Sequence, residues 1–249
     1  MATESVLIDV SGEWMAAREV QQRFMQRLGP MTDALDYSAG CRQVHELGGD
    51  FYDFAPLPNN RLAVAVGDAS GKGLAAALMT ANVQSSLRTA ALFTGHDLAA
   101  SLEAVNRQVH SSSLAERYAT LFYGVFDRES RIMRYVNAGH HPPMVIRPGG
   151  PIVWLESGGA PVGMFPDWIY EESAVQLCPG DVVVGCTDGV IEALNPAGQD
   201  WGLEGVRRAA SESGASCADE LVRVIFRSMD EFSRGCQTDD ATVVVLRIP

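Results

Sequence analysis

The stretch AVAVGDASGKGLAAALM, residues 63–79, constrains the fold more than any other part of the chain. An apolar run ends at Asp68, a glycine-bearing turn follows, and an alanine-rich segment begins at once, so a strand must turn tightly into a helix. A nucleotide-binding P-loop has this outline, but it needs four residues between its first glycine and the Gly-Lys pair, then a Ser or Thr for magnesium. Gly67 and Gly71 have three residues between them and Gly73 follows Lys72, so the spacing is one short and the hydroxyl is missing. An ATP-using switch kinase is disfavoured on this ground. What the turn presents is an acid at a strand end.

The rest of the chain supplies the layers around that unit. Leu62, Val64 and Val66 alternate with small residues over 61–68, as in a strand packed on both faces. Trp14, Ala17, Val20, Phe24 and Leu28 recur at gaps of three and four, predicting an amphipathic helix over 13–28. Asp97 reads as the N-cap of a further helix, LAASLEAVNRQVHSS. YATLFYGVFD and RIMRYVNAG form a hairpin, and MVIRPGGPIVWLE gives another with Pro148, Gly149 and Gly150 at its tip. ESAVQL and DVVVGCTDG are strands, followed by helices over 203–212 and from a capping signal at Ser216, with Asp219 three residues on, through Phe232. ATVVVLRI is the last strand. Runs of strands beside runs of helices predict an α+β layered domain with largely antiparallel sheets. No internal repeat or linker divides residues 13–249.

Composition narrows the partners. A net charge of −12 with no Lys/Arg cluster excludes nucleic acid. No apolar run approaches the ~20 residues needed to cross a bilayer. The N-terminus has no basic start or apolar core of a signal peptide, so a cytoplasmic protein without membrane insertion is expected. Cys41, Cys178, Cys186, Cys217 and Cys236 form no C-x-x-C pair, which argues against a disulfide framework or a zinc site.

Acids stand beside glycines or at strand ends in ELGGDFYD (Asp50, Asp53), VGDASGKG (Asp68), CTDGVIEA (Asp188) and QTDDATVVV (Asp239, Asp240). A lone Asp in a turn usually bonds its own backbone. A sheet edge could bring these together, and close carboxylates take up protons unless a cation neutralises them. Oxygen ligands without a His or Cys cluster select magnesium or manganese.

AREVQQRFM, GGDFYDF, GDASGKGLAAALM, NAGHHPP, TDGVIEA and TDDATVVV, in this order, closely resemble the SpoIIE-type bacterial branch of the metal-dependent PPM, or protein phosphatase 2C-like, serine/threonine phosphatases. The resemblance implies an α-β-β-α sandwich of two central antiparallel sheets with helices outside, over residues 29–249, preceded by an N-terminal segment and regulatory helix over 1–28. It implies two Mn2+ or Mg2+ ions activating water for hydrolysis of phosphoserine or phosphothreonine. Carried over residue by residue, Asp68 bridges both metals, the Ala69 carbonyl and Asp50 serve the second, and Asp188 and Asp239 hold the first, with Asp240 an alternative to Asp239. Asp68 and Asp188 are then the catalytic acids. The implied substrate is a phosphorylated STAS-type anti-sigma-factor antagonist. A catalytically silent module of the same fold that captures this partner is the alternative, and the full set of acids argues against it.

The match departs in places. Where eukaryotic relatives carry a His and an Arg, this chain has Ser70 and Glu46, so the general acid and phosphate clamp are unassigned. Lys72 is a candidate for meeting the phosphate or a substrate acid, with a solvated loop lysine as the other reading. His140 and His141 are neighbours that point apart on an extended segment and poorly share one ion, which favours a structural turn. Gly158, Gly159, Pro161 and Gly163 suggest a loop near the cleft. The N-terminal helix is expected to serve regulation and homodimer formation, although its apolar stripe fits ordinary core equally.

Overall fold

A computed structural model of the protein describes residues 10–25, 35–93, 97–113, 116–156 and 158–249. Two sheets carry the architecture. The first runs β1 (Asp36–Arg42), β11 (Ala241–Arg247), β10 (Val182–Cys186), β6 (Met144–Ile146), β7 (Val153–Trp154). The second runs β2 (Asp50–Leu57), β3 (Arg61–Ala69), β4 (Ala119–Asp127), β5 (Ile132–Ala138), β8 (Gly158–Gly159), with β9 (Ser173–Gln176) also on β5. Pairing is antiparallel throughout except between β5 and β8.

β11 shows why the sheets stack. Val244 and Leu246 join the core that holds Val64, Val66 and Phe51 of the second sheet. Val243 and Val245, pointing the other way, join Val222, Ile225 and Phe226 of α6 (Ala218–Ser233). A strand apolar on both faces must be covered on both. The outer layers are α2 (Gly73–Phe93) and α3 (Leu98–Ser112) against the second sheet, and α5 (Gly202–Glu212) and α6 against the first. This is the expected α-β-β-α sandwich. Each fully buried Val or Leu in these cores contributes about 1.5–3 kcal/mol.

Helix ends follow local chemistry, with two differences from expectation. Asp97 caps α3, its carboxylate accepting the Ala100 amide at 2.8 Å. The cap of α6 is Cys217 and not Ser216, whose amide and hydroxyl both donate to Glu220 at 2.8 Å. The glutamate reaches back where Asp219 was expected, because the helix starts one residue later. α1 spans Val10–Phe24, and of its expected stripe Leu28 lies outside the described residues. Val20 is 55% exposed, whereas the polar Gln21 is buried. Among the described residues no helix is long and apolar enough to cross a membrane.

Candidate metal centre

Strand register alone brings the first two acids together. β2 and β3 pair with Asp50 directly opposite Asp68, and Asp68 is in turn opposite Thr120 on β4. In the other sheet, β10 ends at Cys186 beside Val243 of β11, so the residues after β10 and before β11 emerge side by side. Asp188 opens the short helix α4 (Asp188–Ile191) there. A Cβ on Gly189 would lie 1.9 Å from the Asp240 carbonyl, so only glycine lets these two chain segments approach so closely. The result is that one carboxylate oxygen from each of Asp50, Asp68 and Asp188 falls within 4.8 Å of the others.

These carboxyls are under strain from burial and mutual repulsion. Asp50 is 1% exposed, and burial, reinforced by Asp68, pushes its pKa well above the usual range. The Thr187 hydroxyl donates to it at 2.7 Å and opposes the shift. Asp68 is raised to about 7, first by burial and then by Asp188, Asp239 and Asp240, with Lys72 pulling the other way. Close oxygens with uncompensated charge and no thiolate among them fit a hard divalent cation such as magnesium or manganese.

Asp239 and Asp240 part company. Asp240 accepts the Val44 amide at 2.8 Å with one carboxylate oxygen and the Gly49 amide at 3.0 Å with the other. Asp239 is half exposed, accepts the Asp240 amide at 3.0 Å, and takes Lys72 Nζ at 3.1 Å. The Ala69 carbonyl, the remaining expected ligand, lies close enough to Gly49 that a Cβ there would approach it to 2.7 Å. Ser70 and Glu46 offer no replacement chemistry. The Ser70 hydroxyl accepts the Tyr118 amide at 3.0 Å, and Glu46 is exposed.

His140 is turned inward. Its amide donates to Asn137 Oδ1 at 2.8 Å, its Nδ1 meets the Thr120 hydroxyl at 3.0 Å, and burial holds its pKa down to about 3. His141 is exposed and, with Thr120, His140, Asp68 and Asp188, lines a cleft of about 190 Å3. Gly163, in the loop expected near the cleft, donates its amide to Asn106 of α3 at 2.7 Å. Sequence reasoning also passed over the supports of Asp50. Gln21 of α1 donates to the Gly48 carbonyl at 2.7 Å and accepts the Gly48 amide at 3.3 Å, while Thr80 of α2 donates to the Gly49 carbonyl at 2.9 Å. The one signal in the sequence was a glutamine set next to an apolar stripe.

A sandwich of this kind, with acids from both sheets meeting at one end, is the fold of the protein phosphatase 2C domains. The SiaA-PP2C domain of Pseudomonas aeruginosa superposes with a TM-score of 0.83 at 20% identity, over 96% of this chain and 97% of that one. Residues 58–249 match the family described as Stage II sporulation protein E (SpoIIE), and the chain belongs to that family. Phosphoserine phosphatase RsbU of Bacillus subtilis is 28% identical over 242 residues, covering 96% of this chain and 71% of RsbU. Protein IcfG of Synechocystis sp. is 26% identical over 259 residues, covering 92% of this chain and 40% of IcfG, so the chain spans less than half of that relative. A further structure of the same fold, the catalytic domain of the serine/threonine protein phosphatase PstP, holds 2 manganese ions (TM-score 0.62, 18% identity, 86% of this chain and 98% of that one).

Proposed function

We propose that the protein is a metal-dependent protein serine/threonine phosphatase. The observation that carries this reading is the meeting of Asp50, Asp68 and Asp188 within 4.8 Å, with two of the three carboxyls pushed upward in pKa. We assign Asp50, Asp68, Asp188, Asp239 and the Ala69 carbonyl as ligands of two Mn2+ or Mg2+ ions. Asp68 faces Asp50 across the β2–β3 pair and has a carboxylate oxygen within 4.8 Å of one on Asp188, and it is assigned as the acid that would serve both ions. When bound, such ions supply a water of lowered pKa and neutralise charge on the phosphoryl oxygens.

The protein's own groups do the rest. Thr187 orients Asp50 by its hydrogen bond, and His140, neutral in its buried site, orients Thr120 at the cleft wall. Asp240 is assigned a positioning part, because both of its oxygens are taken by the backbone that sets the Gly49 turn. Lys72 is assigned to meet an incoming phosphate or a substrate acid, its ammonium offsetting Asp239.

The substrate assigned is a phosphorylated STAS-type anti-sigma-factor antagonist in the cytoplasm; likeness to the phosphoserine phosphatase RsbU supports a phosphoserine substrate. α1 is assigned a regulatory part. Gln21 ties it to the Gly48 backbone, and its exposed Met15 and Val20 suit a homodimer contact. Manganese-dependent phosphate release from p-nitrophenyl phosphate and from phosphoserine peptides tests the activity. Full activity in excess EDTA sinks the metal reading, and no release under any metal leaves a module that only captures its phosphorylated partner.

A further inference from the structure

Beside the metal centre lies a feature that holding ions does not require. A groove of about 300 Å3 runs between the first turns of α2 and the end of α3, lined by Ala75, Leu78, Met79, Asn82, Ser112 and Arg117 among others. Leu78 is 64% exposed, and Leu74, one turn earlier, is 47% exposed. Arg117, one of the lining residues, ties the groove to the turn that follows Asp68. Its Nη1 donates to the Ser70 carbonyl at 2.8 Å. A Cβ on Gly71 would come within 1.8 Å of that same nitrogen, so the glycine lets the guanidinium lie across the turn that carries Asp68. Among the described residues Arg117 has no carboxylate partner.

We propose that this groove docks the polypeptide flanking the phosphorylated residue of the protein substrate, with an aliphatic side chain against Leu78 and Met79 and a carboxylate on Arg117. The inference rests on the phosphatase reading. Two observations select this occupant over others. Arg117, which lines the groove, is bonded to the carbonyl of Ser70, two residues from Asp68, so a chain that extends from a phosphoseryl group at the acids can continue past Arg117 into the groove. The protein carries a net charge of −12, yet among the described residues Arg117 is the one charged side chain lining this groove, which attracts an acidic segment and sets its register.

The test uses synthetic phosphoserine peptides with a leucine and an aspartate placed together on either side of the phosphoserine, or with serine and lysine in their place. For the unaltered protein, kcat/KM should favour the leucine-aspartate peptides by about tenfold or more, mainly through KM. Leu78→Asp should abolish that preference while p-nitrophenyl phosphate, which needs only the metal centre, is hydrolysed within about twofold of the original rate. Arg117→Glu should shift the preference towards lysine. No preference in the unaltered protein, or a preference that survives both substitutions, overturns the proposal while leaving the phosphatase reading standing. Self-association that Leu78→Asp removes, with peptide preference untouched, would assign the groove to a second copy and equally overturn it. Absence of phosphate release from every substrate is the separate failure of the phosphatase reading itself.

Discussion

The strand ends of the second sheet and those of the first deliver acids to one centre under different conditions. Asp50 and Asp68 sit opposite each other on paired strands, one of them buried to 1% exposure, and both shift upward in pKa. Asp188 and Asp239 follow and precede strands, remain half exposed, and Asp239 has Lys72 to offset it. The pair on β2 and β3 is fixed by register, and the upward pKa shifts fall on it. Asp188 and Asp239 are placed by the segments beyond the strands, and Lys72 partly compensates Asp239. Register thus gives precision where repulsion is greatest.

This contrast orders the expected effects. Asp68→Asn should abolish metal-dependent phosphate release and lower the number of ions counted by calorimetry. Asp188→Asn should cut turnover by orders of magnitude yet retain one ion. Both substitutions are nearly isosteric, so the metal-free proteins should unfold as cooperatively as the original. Equal losses of metal in the two variants would erase the distinction drawn between the two sets of strand ends.

The same contrast predicts a pH dependence. Asp68 titrates near 7 in the folded protein against an ordinary 3.8, so the folded state keeps a proton that the unfolded state releases between these values. Stability of the metal-free protein should therefore fall as pH rises from about 4 to 7, by roughly 4 kcal/mol at most from this group, with the raised Asp50 carboxyl adding to the fall. Asp68→Asn should make the profile shallower, leaving the part contributed by Asp50. Urea midpoints recorded across this range without metal would show a rise instead if the buried pair were not the source.

Smaller effects belong to the supports. Asp240→Ala strips acceptors from the Val44 and Gly49 amides and should cost about 1–3 kcal/mol in urea unfolding, with the number of bound ions unchanged. A lost ion would make Asp240 a ligand. Gln21→Ala should cost about 1 kcal/mol and alter turnover without altering metal stoichiometry, as checked by paired kinetics and calorimetry. Unchanged turnover would remove α1 from the control of the centre.

The strand-turn-helix around Asp68 was legible because an apolar run, two glycines and an alanine-rich segment each have one local solution. β1 was not, because its sequence DYSAGCR has no clean alternation and its place depends on pairing with β11. Asp239 and Asp240 could not be told apart from sequence, since adjacency says nothing of which carboxylate turns toward a backbone 196 residues distant in the case of Val44 and Asp240. Val20 seemed a core residue by spacing, yet Gln21 takes the inward place. The tertiary bond to Gly48 outweighs the apolar preference at that position. Arg117 carried no signal at all, because its contact with Ser70 exists only once β3 and β4 are paired.

β11 has one further consequence. It is hydrogen-bonded between β1 and β10, and its side chains divide between the two cores, Val244 and Leu246 on one side and Val243 and Val245 on the other. Neither half of the sandwich can melt while the other keeps its wall, so the domain should denature as one cooperative unit. Ion binding at one end of that wall therefore raises the melting temperature of the whole molecule, and amide exchange in α6, across the sandwich from α2, should slow together with exchange in β3.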